Sequence, residues 1–248
     1  MPKIIAIHSY RGGTGKSNFT ANLAAAIAQQ GQRVAVVDTD LQSPGIHALF
    51  NLDESSLGKT LNDYLWGRSP ILETAYDVSP LLKQDAALFL IPASMNADEI
   101  ARILSEGYNV SQLNDGFRQL IKELELDYLL IDTHPGLSRE TLLSLAISHT
   151  VLLILRPDRQ DYQGTAVTVD VARQLKVRQM MLVINKALSK MDHATLQQNV
   201  EKTYSLPVAG IFPLSEDMVQ LGSSGLFCLQ YPNLPFSKTL ARVAQQIL

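Results

Sequence analysis

Cysteine is all but missing from this chain: Cys228 stands alone among 248 residues. One thiol excludes an intrachain disulfide framework and any cysteine-rich metal site, and it fits a reducing cytoplasm. In "GLFCLQY" it reads as a small buried hydrophobe. Long apolar runs are missing too, since no stretch approaches the roughly 18 residues of a membrane span. The opening "MPKIIAIHSY" goes straight into a strand, without the basic region, apolar stretch and cleavage site of a leader. There is no basic surplus. Lys and Arg number 21 against 24 Asp and Glu, for a net charge of −3, so nucleic-acid binding would need a local patch. Internal repeats, low-complexity segments and Pro/Gly/Ser linkers are also absent, so a single domain over 1–248 is expected.

What is present is a globular composition, 46% hydrophobic and 18% charged, in a chain long enough for a sizeable core. Seven short runs are apolar almost without interruption: 3–9, 33–38, 87–93, 127–133, 150–156, 179–185 and 208–213. Continuous rather than alternating apolarity marks strands buried on both faces of a parallel sheet. Helical spacing fills the gaps. Residues 17–31 place Phe19, Leu23, Ala26 and Ile27 on one face, with Gly31 as C-cap, and 110–125 repeats the pattern with Leu113, Phe117, Leu120, Ile121 and Leu124. The βαβα alternation predicts a doubly wound α/β fold, a mostly parallel sheet of about seven strands with helices on both faces. Only 41–86, where turn residues and short helices mix, resists assignment.

"SYRGGTGKS", Ser9 to Ser17, follows the first strand and opens the first helix. It nearly fits the phosphate-loop pattern G-x-x-x-x-G-K-[ST], with Tyr10 where the first glycine belongs. Gly12, Gly13 and Gly15 supply a backbone whose N–H groups can turn toward phosphate oxygens, and the helix N-terminus adds partial positive charge. Lys16 would reach the β- and γ-phosphates, Ser17 would ligate Mg²⁺, and Asn18 completes the nucleotide-binding stretch. Tyr10 is tolerable if its φ is negative.

A GGxGK[ST] run after the first strand resembles the deviant Walker A ATPases of the ParA/MinD family, and the resemblance covers most of the chain. It implies a P-loop ATPase using ATP and Mg²⁺. In that family a lysine just before the paired glycines crosses an ATP-sandwiched homodimer to touch the partner's phosphates. This chain has Arg11 there, a planar fork instead of a point charge. By the same resemblance, Asp40 of "VVDTDLQSPG" would orient the attacking water and Asp38 would support the Mg²⁺ shell. Asp132 of "LLIDTHPG" would bind Mg²⁺ through water, with Gly136 sensing the γ-phosphate. Asn185 of "LVINKA" would meet the adenine edge, and the loop from Pro213 to Asp217 would wrap the base. His134 reads as a structural residue of a switch loop, and His8, His47, His149 and His193 have no metal-ligand spacing.

Arg156 ends a strand at the ligand edge of the sheet. With the signature lysine lost, it is expected to supply much of the phosphate or interface charge, with Arg11 as its competitor. The resemblance further implies a positioning ATPase whose ATP dimer holds a template and whose hydrolysis a cargo adaptor stimulates. Leu240, Val243, Ala244 and Ile247 form a last core helix with nothing left over for lipid, so nonspecific nucleoid DNA is the expected template and a membrane is not. Arg173, Lys176 and Arg178 are the candidate DNA contacts, with Lys202 and Arg242 behind them. Loss of the lysine resembles the carboxysome-positioning McdA branch. The alternatives are a dethiobiotin-synthetase-like ligase, a MinD-like membrane-associated ATPase and a nucleotide-sensing scaffold without turnover.

Overall fold

In the computed structural model, which describes residues 2–82 and 86–248, the apolar runs form one sheet in the order β3-β4-β2-β5-β1-β6-β7-β8. The strands are β1 (Lys3–His8), β2 (Arg33–Asp38), β3 (Tyr76–Asp77), β4 (Ala87–Ile91), β5 (Tyr128–Asp132), β6 (Thr150–Leu155), β7 (Gln179–Ala187) and β8 (Val208–Pro213). The helices are α1 (Lys16–Ala28), α2 (Leu61–Leu65), α3 (Ala97–Glu106), α4 (Val110–Glu123), α5 (Arg139–Ile147), α6 (Arg159–Gln174), α7 (His193–Tyr204), α8 (Glu216–Leu221), α9 (Phe227–Gln230) and α10 (Pro235–Ile247).

All seven expected strands are present. The eighth, β3, lies in the segment that resisted assignment and pairs antiparallel to β4 through Tyr76↔Leu90 and Asp77↔Phe89. Two residues carry no periodicity of their own. What anchors β3 is the Tyr76 hydroxyl, which accepts the N–H groups of Gly58 and Lys59 at 2.6 and 3.0 Å.

Both faces of the sheet are buried, as the continuous runs require. Ile5, Ile7, Val34, Val36 and Leu130 face a cluster containing α1 and α10. Their chain neighbours Ile4, Ala35, Val37, Leu129 and Ile131 face a second cluster that includes Leu113, Phe117 and Leu120 of α4. The single-stripe reading of α1 is too narrow. Ala21, Ala24, Ala25 and Ala28 are buried together with Phe19, Leu23 and Ile27, because α1 lies between the sheet and α10, and alanine permits close approach on the remaining sides. The helix stops at Ala28 with Gln29 as C-cap, and Gly31 makes the reversal at φ 80°. Leu240, Val243, Ala244 and Ile247 do form the buried stripe of α10. Lys3 Nζ donates to the last carbonyls there, Ile247 O at 2.8 Å and Leu248 O at 3.0 Å. Among the described residues no helix is long and apolar enough to cross a membrane.

Strand β5 lies between β1 and β2, and this placement assembles the site. It puts Asp132 opposite Ile7 on one side and opposite Asp38 on the other. Three strand ends therefore converge at the carboxyl edge of the sheet, where such folds take their ligands.

Candidate nucleotide site

Lys16 opens α1 and folds back over the strand ends. Its Nζ donates to Asp132 Oδ1 at 2.9 Å, and the Thr20 hydroxyl donates to the same oxygen at 3.0 Å. Both members of this ion pair are buried. The other oxygen, Asp132 Oδ2, is buried without a hydrogen-bond partner. Beside it, Asp38 is 1% exposed and its Oδ1 accepts the Asp40 N–H at 3.0 Å. Burial, and then the charge of Asp132, push the Asp38 carboxyl up to about 8. A divalent cation at this point would meet an orphaned carboxylate oxygen and a carboxyl short of positive charge. The site fits Mg²⁺ held by Asp38 and Asp132, partly through water, with Ser17 on the first turn of α1. Among the described residues no group of three or more His, Cys, Asp and Glu converges to hold a metal, so phosphate and water oxygens would complete the shell.

Asp40 has a partner that the sequence did not suggest. His134 Nδ1 stands 2.6 Å from Asp40 Oδ1, tying the loop after β2 to the loop after β5. The Gly136 N–H, expected to sense a phosphate, donates here to Ser9 O at 3.1 Å. His8 is held through one ring nitrogen, while its Nε2 is buried without a hydrogen-bond partner. The Thr133 hydroxyl donates to Ile7 O and so accepts from His8 Nδ1 at 2.8 Å. Burial, then the charges of Lys16 and His134, lower His8 to about 3 and keep it neutral.

Tyr10 does not need the glycine it replaces. Its φ lies outside the positive region that Gly13 and Gly15 occupy at 74° and 89°, and its side chain packs against Gly164 of α6. A β-carbon added at Gly164 would overlap the tyrosine ring. Gly164→Ala is therefore expected to shift Tyr10 and the loop, an overpacking of about 1–3 kcal/mol. The checks are a melting temperature lowered by several degrees and a weaker nucleotide affinity, both largely restored in the double variant with Tyr10→Gly.

The structure places Arg11 and Arg156 on the same carboxylate. Arg156 Nε and Nη2 donate to the two oxygens of Asp161 at 2.9 and 3.1 Å, and Asp161 is 2% exposed. Arg11 Nη1 is 3.5 Å from Asp161 and 3.8 Å from Asp158. Arg156, expected to take precedence, thus has its Nε and Nη2 bonded to a buried partner on the next helix, with its side chain 26% exposed. That partner, near the start of α6, is invisible when Arg156 is read as a bare strand end. Arg11, at 40% side-chain exposure, is held more loosely.

Gly15, Asn18, Asn185 and Pro213 border one cavity of about 180 Å³, with Lys186 and Met218 among the other residues of its wall. Asn185 is not free to serve only a base, since its Nδ2 donates to Thr14 O at 2.8 Å. Lys186 escaped the sequence reading. The available signal was a lysine directly after a candidate base-binding asparagine. Arg173, Lys176 and Arg178 are exposed at the opposite edge of the sheet, where α6 gives way to β7. Arg173 is partly engaged there, donating to Tyr204 O at 2.6 Å.

Comparison with known proteins identifies the family and the fold. The family model ParA, described as an NUBPL iron-transfer P-loop NTPase, matches residues 1–248. An uncharacterised ATP-binding protein of Methanocaldococcus jannaschii is 23% identical over 245 residues, spanning 98% of this chain and 87% of the relative. The septum site-determining protein MinD of Thermotoga maritima is 25% identical over 255 residues, spanning 100% of this chain and 88% of the relative. Among solved structures, MinD of Pyrococcus horikoshii in complex with Mg-ADP superposes with a TM-score of 0.84 at 19% identity, covering 100% of this chain and 96% of that one. At that identity the likeness speaks for the fold.

Proposed function

The chain belongs to the ParA family of P-loop NTPases, and from that premise we propose that it is an ATP-hydrolysing positioning ATPase that dimerises around ATP and holds duplex DNA in that state. The observation that carries the ATPase reading is the buried Lys16–Asp132 pair with the unpartnered Asp132 Oδ2 beside it. Phosphoryl transfer asks the protein for positioning and charge. Here Gly12, Gly13 and Gly15 present backbone N–H groups to the phosphates, Lys16 turns from Asp132 to the β- and γ-oxygens, and Asp40 orients the attacking water. Ser17, Asp38 and Asp132 would hold magnesium, which would supply charge neutralisation at the phosphates when bound. The cavity at Asn18, Asn185 and Pro213 takes the base. Arg11, the loosely held cation of the loop, is the better candidate to reach a partner's phosphates.

The iron-transfer description of the family model does not suit this chain. Its single cysteine, Cys228, is 7% exposed, and burial pushes the thiol up to about 12. No cysteine pair is available to hold a cluster.

The template is proposed to be DNA because Lys176 and Arg178 are exposed on an edge that nucleotide binding leaves open. The test is a DNA shift with ATP, ADP and no nucleotide. Binding is expected only with ATP and should fall steeply with salt as counterions are released. Because Arg173 also holds the Tyr204 carbonyl, the double variant Lys176→Glu/Arg178→Glu is the cleaner probe. It should weaken binding on every sequence tested, with the circular dichroism spectrum unchanged. Equal binding by that variant moves the patch elsewhere. ATP-dependent capture by anionic liposomes, with no DNA shift, replaces the template. Turnover that requires a small-molecule acid replaces the positioning reading with a ligase. The cargo, with carboxysomes as the branch the missing lysine suggests, is then addressed by which adaptor stimulates hydrolysis.

A further inference from the structure

Two consecutive residues near the end of β7 hold two consecutive carbonyls of the phosphate loop. Asn185 Nδ2 donates to Thr14 O at 2.8 Å, and Lys186 Nζ donates to Gly13 O at 2.8 Å. Asn185 Oδ1 accepts the Lys186 N–H at 2.9 Å, which fixes the orientation of the amide. The contact is close. A β-carbon at Gly15 would stand 2.5 Å from Asn185 Nδ2 and 3.8 Å from Lys186 Cε. Lys186 also takes a left-handed φ of 56°, a conformation that costs a non-glycine residue about 1 kcal/mol and is retained where the surroundings require it.

The consequence follows from amide geometry. In a trans peptide the carbonyl and the next residue's N–H lie in one plane and point in opposite directions. Drawing the Gly13 and Thr14 carbonyls toward β7 turns the N–H groups of Thr14 and Gly15 away from it, into the concavity where an anion sits. An ammonium on the Gly13 carbonyl also polarises that amide, an effect that solvent screens in part because Lys186 is exposed. Neither effect waits for a ligand, because both contacts are made by the chain alone.

We infer that Lys186 is a positioning residue that, with Asn185, sets the donors of the phosphate loop before a di- or triphosphate arrives. This rests on the nucleotide reading of the site. It also adds to Arg11, Lys16 and Arg156 a cation that acts within the subunit on the outer, carbonyl side of the loop.

The test is calorimetric titration of the full chain with ADP and, separately, with pyrophosphate, in wild type, Lys186→Gly and Lys186→Met. Glycine removes the ammonium and suits the left-handed φ, whereas methionine keeps an apolar stem and the wild-type backbone demand. Both variants are expected to bind ADP and pyrophosphate about tenfold more weakly, while the ligand-free protein keeps its circular dichroism spectrum and melts within a few degrees of wild type. Pyrophosphate affinity within twofold of wild type in both variants overturns the inference. So does a loss confined to ADP, which would assign Lys186 to the base or sugar, and so does a loss seen only with glycine, which would assign it to backbone flexibility. A wild-type chain that takes up neither ligand overturns the nucleotide reading itself, and this inference with it.

Discussion

Lys16→Ala is expected to abolish nucleotide binding, with affinity for ATP and ADP falling at least about 100-fold, some 2.7 kcal/mol. Among the described residues Lys16 is the one lysine or arginine that is buried, at 6% exposure. Its loss has a second effect. Asp132 loses its ion-pair partner while buried next to Asp38, and breaking a buried pair from one side costs about 3–5 kcal/mol. Lys16→Ala should therefore also melt at a lower temperature. The double variant Lys16→Ala/Asp132→Asn separates the two effects. It should recover stability and remain unable to bind nucleotide. Calorimetry with ADP and a thermal melt read both. Unchanged ADP affinity in Lys16→Ala would remove the nucleotide site from this loop.

Asp40→Ala should leave ATP binding within a few-fold of wild type and lower turnover by about 100-fold or more, the range associated with a positioned acid–base group. The ATP complex should accumulate as a dimer, which gel filtration with ATP resolves. The 2.6 Å contact to His134 complicates the alanine variant, because it also frees the imidazole. Asp40→Asn retains a partner for His134 and removes only the charge, so it is the decisive substitution. Wild-type turnover in Asp40→Asn would take this carboxylate out of the mechanism and direct attention to His134.

The fold was readable in the sequence to the extent that its strands are buried on both faces. Seven apolar runs appear as seven strands because a parallel sheet covered on both sides imposes the same demand at every position. Strand β3 was not readable, since a two-residue pairing is held by a tyrosine hydroxyl and the neighbouring strand rather than by a pattern. The same division runs through the site. Gly13, Gly15, Lys16, Asp38 and Asp132 announce themselves because each is a candidate through its own position on a strand end or loop. Gly164 does not, because its role is to leave room for Tyr10, which sits far away in the chain.

The amino-acid sequence by itself determined the α/β class, the phosphate loop and the carboxylates at the strand ends, since these depend on local spacing and on residue types that few other roles require. Only the tertiary structure decided which charges are already spent. Asp161 captures Arg156 bidentately and Arg11 weakly. His134 lies against Asp40, and Lys186 reaches back to Gly13. The first of these pairs closes over one strand–helix turn, whereas the Asp40–His134 and Gly13–Lys186 contacts join segments remote in the chain that the order of strands in the sheet brings together. A charge is available for chemistry only if the fold leaves it without a nearer partner, and no spacing rule along the chain encodes that.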